Sequence, residues 1–204
     1  KTNANSGVIN MGTLAVDGTI ALATNGIGDT TVVNDADLAF ADSIIGGNLT
    51  ATAASGDLLF EGSVKTIRNV VLEATGGSIL NSNLKINGGN IEGKEITLTA
   101  ANTIGTIKKR LKIDAKTLNA RTTSKNPGSD INISDRGKLI LASVSTVNGD
   151  INIDSDGPVV RKEVIAGGKG NRTIIIDREA IRRIALKEAQ RTQRLAALAA
   201  AVGI

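Results

Sequence analysis

Apolar residues recur every twenty positions along most of the chain, and this period restricts the fold more than any other feature. One series is apolar at all eight of its positions. At a hydrophobic content of 41%, an unbroken series of that length arises by chance about once in a thousand phases. The three series are Ile20, Phe40, Phe60, Leu80, Ala100, Ala120, Ile140 and Val160; Ala51, Val71, Ile91, Leu111, Ile131 and Ile151; and Ile44, Val64, Leu84, Ile104, Ser124, Val144 and Val164, where Ser124 is the polar break.

Short alternating runs surround these positions and predict half-buried strands. Examples are NLTATA at 48–53, EITLTA at 95–100 and DINID at 150–154. Glycine, asparagine and aspartate pairs such as Asn148-Gly149 separate the runs, as expected for turns. A chain that winds once per repeat places each series member about 4.8 Å from the member in the preceding coil. We therefore predict an all-β fold, a three-faced parallel β-helix with about 20 residues per coil, followed by a C-terminal α-helix.

The composition agrees with a narrow aliphatic core and excludes several kinds of chemistry. Phe40 and Phe60 are the only aromatic residues, and the chain has no His, Cys, Trp or Tyr. A Ser-His-Asp or Cys-His catalytic set, a His- or Cys-ligated metal site and a disulfide framework are therefore excluded. We expect the two phenylalanines to stack on adjacent coils. The residues chosen from the series as candidate core residues are Phe40, Phe60, Leu80, Ile91, Leu111, Ile131 and Ile151.

Charge changes sign along the chain. Residues 1–60 carry one Lys and six Asp, residues 61–160 carry thirteen basic and ten acidic groups, and residues 161–204 carry ten basic and four acidic groups. The formal net charge of +4 conceals this gradient. An acidic end and a basic end allow copies of a chain to attract each other head to tail, while a solvated charged surface without a partner is the alternative.

The end of the chain changes from strand to helix patterns. Thr173 to Ile176 reads as a last strand, and Asp177 is expected to cap a helix over residues 178–202, which contain neither Gly nor Pro. The predicted organisation is a β-solenoid over residues 1–176 and an amphipathic basic helix over residues 177–204. Apolar side chains form one stripe on this helix, beside basic residues. The candidate assembly interface comprises Ile181, Ile184, Leu195, Leu198, Val202, Arg178, Arg182 and Arg183.

Three partners for the helical stripe remain open. The helix can fold back along its own solenoid as a cap, pack on a neighbouring copy, or lie on an anionic membrane surface. The N-terminal residues predict neither a helix nor a charged cap, so the first coil is expected to be uncapped. A basic C-terminal helix and an open N-terminal coil would then join copies in a non-closing array.

Four runs carry a resemblance to a known family: GNLTATAASGDLLFEGSV at 47–64, GGNIEGKEITLTAANTIGTI at 88–107, LKIDAKTLNARTT at 111–123 and SDINISDRGKLILASV at 129–144. They resemble the haemagglutinin-type repeats of filamentous haemagglutinin-like large exoproteins and adhesins, over about residues 10–165. The resemblance implies a right-handed parallel β-helix displayed outside a Gram-negative-type bacterial cell. It implies a role in adhesion, biofilm matrix or surface filaments.

Enzymatic chemistry has one set of candidates. Parallel β-helices also form polysaccharide lyases and hydrolases, which need clustered carboxylates beside a basic side chain. Asp114 with Lys116, and Asp135 with Arg136, are the nearest approaches, one repeat apart. The run from Asp154 to Gly157 resembles part of a calcium loop but lacks the closing Glu. The basic stretch at 108–116 lacks the stacking aromatics of a specific nucleic-acid site.

The leading hypothesis is a secreted structural protein that forms or decorates an extracellular filament or adhesive surface. It is expected to lie outside a bacterial cell, to need no cofactor or metal, and to be no enzyme. Its partners would be further copies of itself, joined head to tail, or a receptor on a host or cell surface, with no specific nucleic acid. The alternatives are a carbohydrate-active β-helix enzyme and a peripheral membrane-binding module.

Overall fold

The chain folds as a parallel β-solenoid that ends in one α-helix. The computed structural model describes residues 2–5, 7–82 and 90–202. Within them, the strands are Thr2–Asn5 (β1), Ile9–Leu14 (β2), Thr19–Ile20 (β3), Leu22–Asn25 (β4), Thr30–Asn34 (β5), Leu38–Phe40 (β6), Ser43–Ile45 (β7), Leu49–Ala53 (β8), Leu58–Phe60 (β9), Val64–Thr66 (β10), Val70–Ala74 (β11), Ile79–Asn81 (β12), Asn90–Ala100 (β13), Leu111–Thr122 (β14), Ile131–Asp135 (β15), Leu139–Thr146 (β16), Ile151–Ser155 (β17), Val159–Ala166 (β18) and Thr173–Asp177 (β19). The helix, α1, covers Arg178–Val202.

Three stacks of parallel strands form the faces of the solenoid. The first runs β2, β5, β8, β11, β13, β14, β16, β18. The second runs β3, β6, β9, β12 and continues through bridges at Ile104 toward β15, β17 and β19. The third runs β1, β4, β7, β10 and then the first halves of β13 and β14. The long strands β13 and β14 therefore serve two faces each, and the predicted parallel β-solenoid is confirmed.

A turn of the solenoid is about 21 residues long, so the predicted period of twenty is slightly short. The number of residues between paired positions varies along the solenoid. Phe40 pairs with Phe60, 20 residues later, but Phe60 pairs with Asn81, 21 residues later. Because successive strand residues face opposite sides, one extra residue moves a twenty-step series from the core to the surface. Leu80, predicted as a core residue, is accordingly half-exposed, while its neighbour Ile79 is buried.

The same drift affects other members of the predicted series. Val71, Ile44 and Val160 are exposed by 40%, 67% and 44%, so these members of the twenty-step series lie on the surface. Ile91 pairs with Ile113, and Leu111 with Ile133, so these two residues do not stack on each other. The direct stack in that series is Ile131 on Ile151. Leu84 lies outside the described residues. The candidate core residues that are fully buried are Phe40, Phe60, Ile91, Leu111, Ile131 and Ile151.

The core is a continuous column of aliphatic side chains with one aromatic pair. Phe40 and Phe60 stack as predicted, with ring centroids 5.5 Å apart and an interplanar angle of 13°. Around them, Leu38 and Leu58 pair on adjacent coils and are both buried. Such in-register stacking explains why the inner positions are filled by Ile, Val and Leu, whose width matches a narrow coil.

Two adjacent valines test the register directly. Val70 is fully buried between Leu49 and Ile96, whereas Val71 is 40% exposed. We expect Val70→Ala to lower the free energy of unfolding by about 2 kcal/mol, since two buried methyl groups are lost. Val71→Ala is expected to change it by less than about 0.5 kcal/mol. Urea unfolding of both variants checks this. If Val71→Ala destabilised the protein more than Val70→Ala, Val71 would be the inward residue, as the twenty-residue register requires.

Candidate functional site

The helix begins directly where the last strand ends, and Asp177 makes the junction. One carboxylate oxygen of Asp177 accepts a hydrogen bond from the backbone N–H of Ala180 at 2.7 Å, and the other accepts one from Val159 at 3.0 Å. The first bond is the predicted N-cap, and the second ties the cap to β18. These hydrogen bonds to the backbone lower the pKa of Asp177. The helix start is thus held by the last coil.

A cluster of charged side chains around Asp154 fixes the first turn of α1. Asp154 in β17 is 7% exposed. Its carboxylate accepts hydrogen bonds from Arg178 Nε at 2.6 Å and Nη2 at 2.5 Å, and from Arg110 Nη1 at 3.3 Å. Hydrogen bonding from Arg178 lowers the pKa of Asp154. Arg182 donates to the carbonyl oxygen of Asp156, so two coils and the helix meet here.

Beyond this anchor the helix leaves the solenoid. Every side chain from Ile181 to Ala201 is exposed. The apolar stripe therefore packs against no strand, which argues against the fold-back cap. Arg183 pairs with Glu179 at 3.5 Å on the helix surface. The described stripe residues of the candidate interface are Ile181, Ile184, Leu195 and Leu198, exposed by 56%, 58%, 61% and 65%; the side chain of Val202 lies outside the described part.

An acidic groove lies at the opposite end of the molecule, on the first three coils, and the sequence analysis missed it. It has a volume of about 560 Å³. Ala39 and Leu59 are among the residues that line it. The carboxylates along it are those of Asp17, Asp35, Asp37 and Glu61. Asp17 and Asp37 stand one twenty-residue step apart, which is the signal that could have revealed it.

Two of these carboxylates also support the coil. Asp37 accepts a hydrogen bond from the backbone N–H of Asp57 at 2.7 Å, and Glu61 accepts one from the Thr19 hydroxyl at 3.0 Å. Among the described residues, none of the four carboxylates forms an ion pair, and no lysine or arginine lines the groove. The groove therefore presents negative charge that nothing within the described chain neutralises.

The predicted catalytic carboxylates lie close together, but Asp135 is engaged in holding coils. Asp135 is 3% exposed. It accepts hydrogen bonds from the backbone N–H of Ala115 at 3.2 Å and of Gly137 at 2.9 Å, and from the Ser155 hydroxyl at 3.3 Å. Lys116 and Arg136 are exposed. Every contact of Asp135 is thus with neighbouring backbone or a neighbouring coil, as in a structural side chain.

Burial dominates the acid–base behaviour of Asp135. Removal from water, together with the negative charge of Asp114, raises its pKa from 3.8 to about 6, against the opposing hydrogen bonds from Gly137, Ala115 and Ser155. Asp135 therefore stabilises the fold fully below about pH 4, and this contribution is lost as pH rises through about 6.

We expect the loss between pH 4 and pH 7 to be about 2 to 3 kcal/mol, since one pKa unit corresponds to about 1.4 kcal/mol. The measurement is urea unfolding from pH 4 to 8 of the wild type and of Asp135→Asn, which lacks this titration. The low-pKa groups Asp154 and Asp177 are common to both proteins and cancel in the difference. Asp114→Asn is expected to shift the midpoint of that difference downward. Parallel stability curves for the wild type and Asp135→Asn would contradict this account.

The described residues form no evident metal site or membrane-spanning helix. Within the described residues no group of three or more acidic side chains is arranged to hold a metal ion, and in the calcium-like run Asp154 is occupied by arginine side chains. Among the described residues no helix is both long and apolar enough to cross a bilayer, because α1 is rich in charged side chains.

The geometry thus comprises an anchored, projecting, basic helix at one end and an acidic groove at the other. Comparison of the chain with models of protein families, with curated proteins and with solved structures finds no match.

Proposed function

We propose that the protein is a structural β-solenoid that assembles head to tail into an extracellular filament or adhesive surface, rather than an enzyme. The observation that carries the proposal is the unpartnered apolar stripe on α1. Four large aliphatic side chains of that stripe are more than half exposed on a helix whose base is held rigidly to the last coil. A stripe of this kind is stable in water when a second surface covers it.

The two ends of the solenoid support the same proposal. Within the described residues, β18 pairs only with β16, and β19 only with β17. At the other end β1 pairs only with β4, and β2 only with β5. Each end therefore presents strands with one unpaired edge, which can accept another strand. A contact between unlike ends of identical subunits does not close and generates a filament.

The third support is the charge gradient. Residues 1–60 have a formal charge of −5, whereas α1 carries six basic and two acidic side chains. Opposite charges at opposite ends favour approach of one copy's C-terminal end to the N-terminal end of the next. Same-end contacts would repel. The proposed extracellular location rests on the resemblance of the repeats to those of large exoproteins.

The test is sedimentation velocity and negative-stain microscopy of the full chain over a hundredfold range of concentration at low and moderate salt. We expect particles that lengthen with concentration. Leu195→Glu should prevent lengthening because it places a charge in the stripe. Gln193→Glu, on the helix face opposite the stripe and away from the row of basic residues, is the matched control and should assemble as the wild type does. A wild-type protein that stays monomeric throughout would overturn the proposal.

A further inference from the structure

We infer that α1 of one copy binds in the acidic groove on the first three coils of the next copy. This inference rests on the proposed head-to-tail assembly and names the two surfaces that meet. The occupant is a second copy of this chain. The groove lies on the first coils, whereas α1 begins at the last coil and its side chains from Ile181 to Ala201 are exposed, with Arg182 the last described residue that bonds to the solenoid.

Charge complementarity is the first support. The carboxylates of Asp17, Asp35 and Asp37 are exposed, and that of Glu61 is half-buried. No basic side chain lines the groove among the described residues. The helix supplies the missing cations from a row on one face, formed by Arg183, Lys187, Arg191 and Arg194, all of them exposed.

Spacing is the second support. Successive coils of the solenoid are about 4.8 Å apart. The groove carboxylates are distributed over three coils: Asp17 on the first, Asp35 and Asp37 on the second, and Glu61 on the third. Four helical residues advance about 6 Å along a helix axis. A helix lying along the solenoid axis therefore brings Arg183, Lys187 and Arg191 near carboxylates of successive coils, within the reach of flexible side chains.

The apolar surfaces also correspond. Besides the carboxylates, the groove is lined by the apolar residues Ala15, Val16, Ala36, Ala39 and Leu59. On the helix, Ile184 and Leu195 lie beside the basic row, because residues about three and four positions apart share a face. A volume of about 560 Å³ accommodates several side chains but not a folded domain. The groove thus suits one face of a helix.

The experiment is a charge exchange in the full chain. The groove variant is Asp17→Lys/Asp35→Lys, and the helix variant is Lys187→Glu/Arg191→Glu. None of these four side chains makes a described hydrogen bond or ion pair within the chain. Each variant alone places like charges on both surfaces, and we expect its assembly to need at least tenfold higher concentration than that of the wild type. In an equimolar mixture each helix meets a groove of opposite charge, so assembly should return to within about threefold of the wild type.

The matched control is Glu73→Lys/Asp114→Lys, which makes the same change in charge on the middle coils, away from the groove and from both ends of the solenoid. We expect it to assemble alone at nearly the wild-type concentration, and thermal melting of every variant verifies folding. Failure of the mixture to assemble, or equal behaviour of groove and control variants, would overturn the inference. If the wild type assembles in that case, the proposed function stands without this interface. If the wild type does not assemble, both are overturned.

Discussion

Replacing Gly46 with alanine is expected to lower the free energy of unfolding by more than about 4 kcal/mol, the range in which single substitutions are exceptional. The cause is the close approach of neighbouring coils. A Cβ atom at position 46 would lie 1.5 Å from the carbonyl oxygen and 2.7 Å from the carbonyl carbon of Gly26 in the preceding coil. Neither atom belongs to a flexible side chain, so relief requires the coils to separate.

Two further glycines make the test quantitative. Gly12 has no atom within 4 Å of an added Cβ, and the nearest atom at Gly93 is a side-chain methyl of Val70 at 2.9 Å. Gly12→Ala should therefore be neutral or stabilise by up to about 1 kcal/mol, by restricting the unfolded chain. Gly93→Ala should fall between the two. Thermal and urea unfolding measure the series.

The order of the three changes in unfolding free energy, rather than any single value, tests whether neighbouring coils pack this closely. If Gly46→Ala does not yield folded protein, the contrast with a folded Gly93→Ala still supports close coil packing. Equal effects at positions 12 and 46 would contradict it, since both substitutions have the same influence on chain entropy.

The turn glycines illustrate what sequence reasoning predicts and what it misses. Gly46, Gly56 and Gly77 lie in short Gly-, Ser- and Asp-containing runs that predict turns. Their backbone φ angles are not positive, however, and what requires glycine is the backbone of the preceding coil, within 1.5 to 2.4 Å of an added Cβ. Such a contact joins residues about twenty apart in sequence. It becomes visible only once the coils are stacked.

The register between coils is a second feature that the sequence predicts only in part. The alternation of apolar and polar residues predicted strands, and the recurrence of apolar residues predicted stacking in parallel. The number of residues in each individual coil was not predicted, because the corners between strands accept one or two additional residues without any change in the local sequence pattern. Leu80 and Ile79 show the consequence: both are aliphatic and adjacent, and only the pairing of Ile79 with Leu58 decides which one is buried.

The candidate site was predicted from the sequence in part. The helix and its cap at Asp177 follow from composition and are local features. The Asp154–Arg178–Arg110 cluster joins three distant segments, and the acidic groove joins three coils. No local signal specifies such clusters, although the step between Asp17 and Asp37 marks one edge of the groove.

Phe60→Ala is the second large effect we expect, a loss of about 3 to 5 kcal/mol in the free energy of unfolding. Phe60 is fully buried and stacks on Phe40 with centroids 5.5 Å apart. On its other side it pairs with Asn81, whose side chain donates to the carbonyl oxygen of Arg110 at 2.8 Å. A cavity at position 60 would lie between the Phe40 ring and the Asn81 side chain. Because Asn81 is held by its hydrogen bond to Arg110, it cannot move to fill the cavity.

The matched control is Leu59→Ala, one residue away on the outer face of β9. Leu59 is half-exposed and lines the acidic groove. We expect it to cost about 1 kcal/mol or less in stability, because much of the side chain already contacts water. Under the proposed assembly, however, it should weaken polymer formation. Stability and assembly are therefore separable at two adjacent positions.

A double-mutant cycle isolates the aromatic stack itself. The variants are Phe40→Leu, Phe60→Leu and their combination, which keep the core apolar and reduce the cavity. We expect a coupling free energy of about 0.5 to 1.5 kcal/mol beyond the sum of the single effects, the usual contribution of an aromatic pair. Additive effects would show that each ring is held by its aliphatic neighbours, and that the first coils owe their stability to the stacked leucines rather than to the stacked rings.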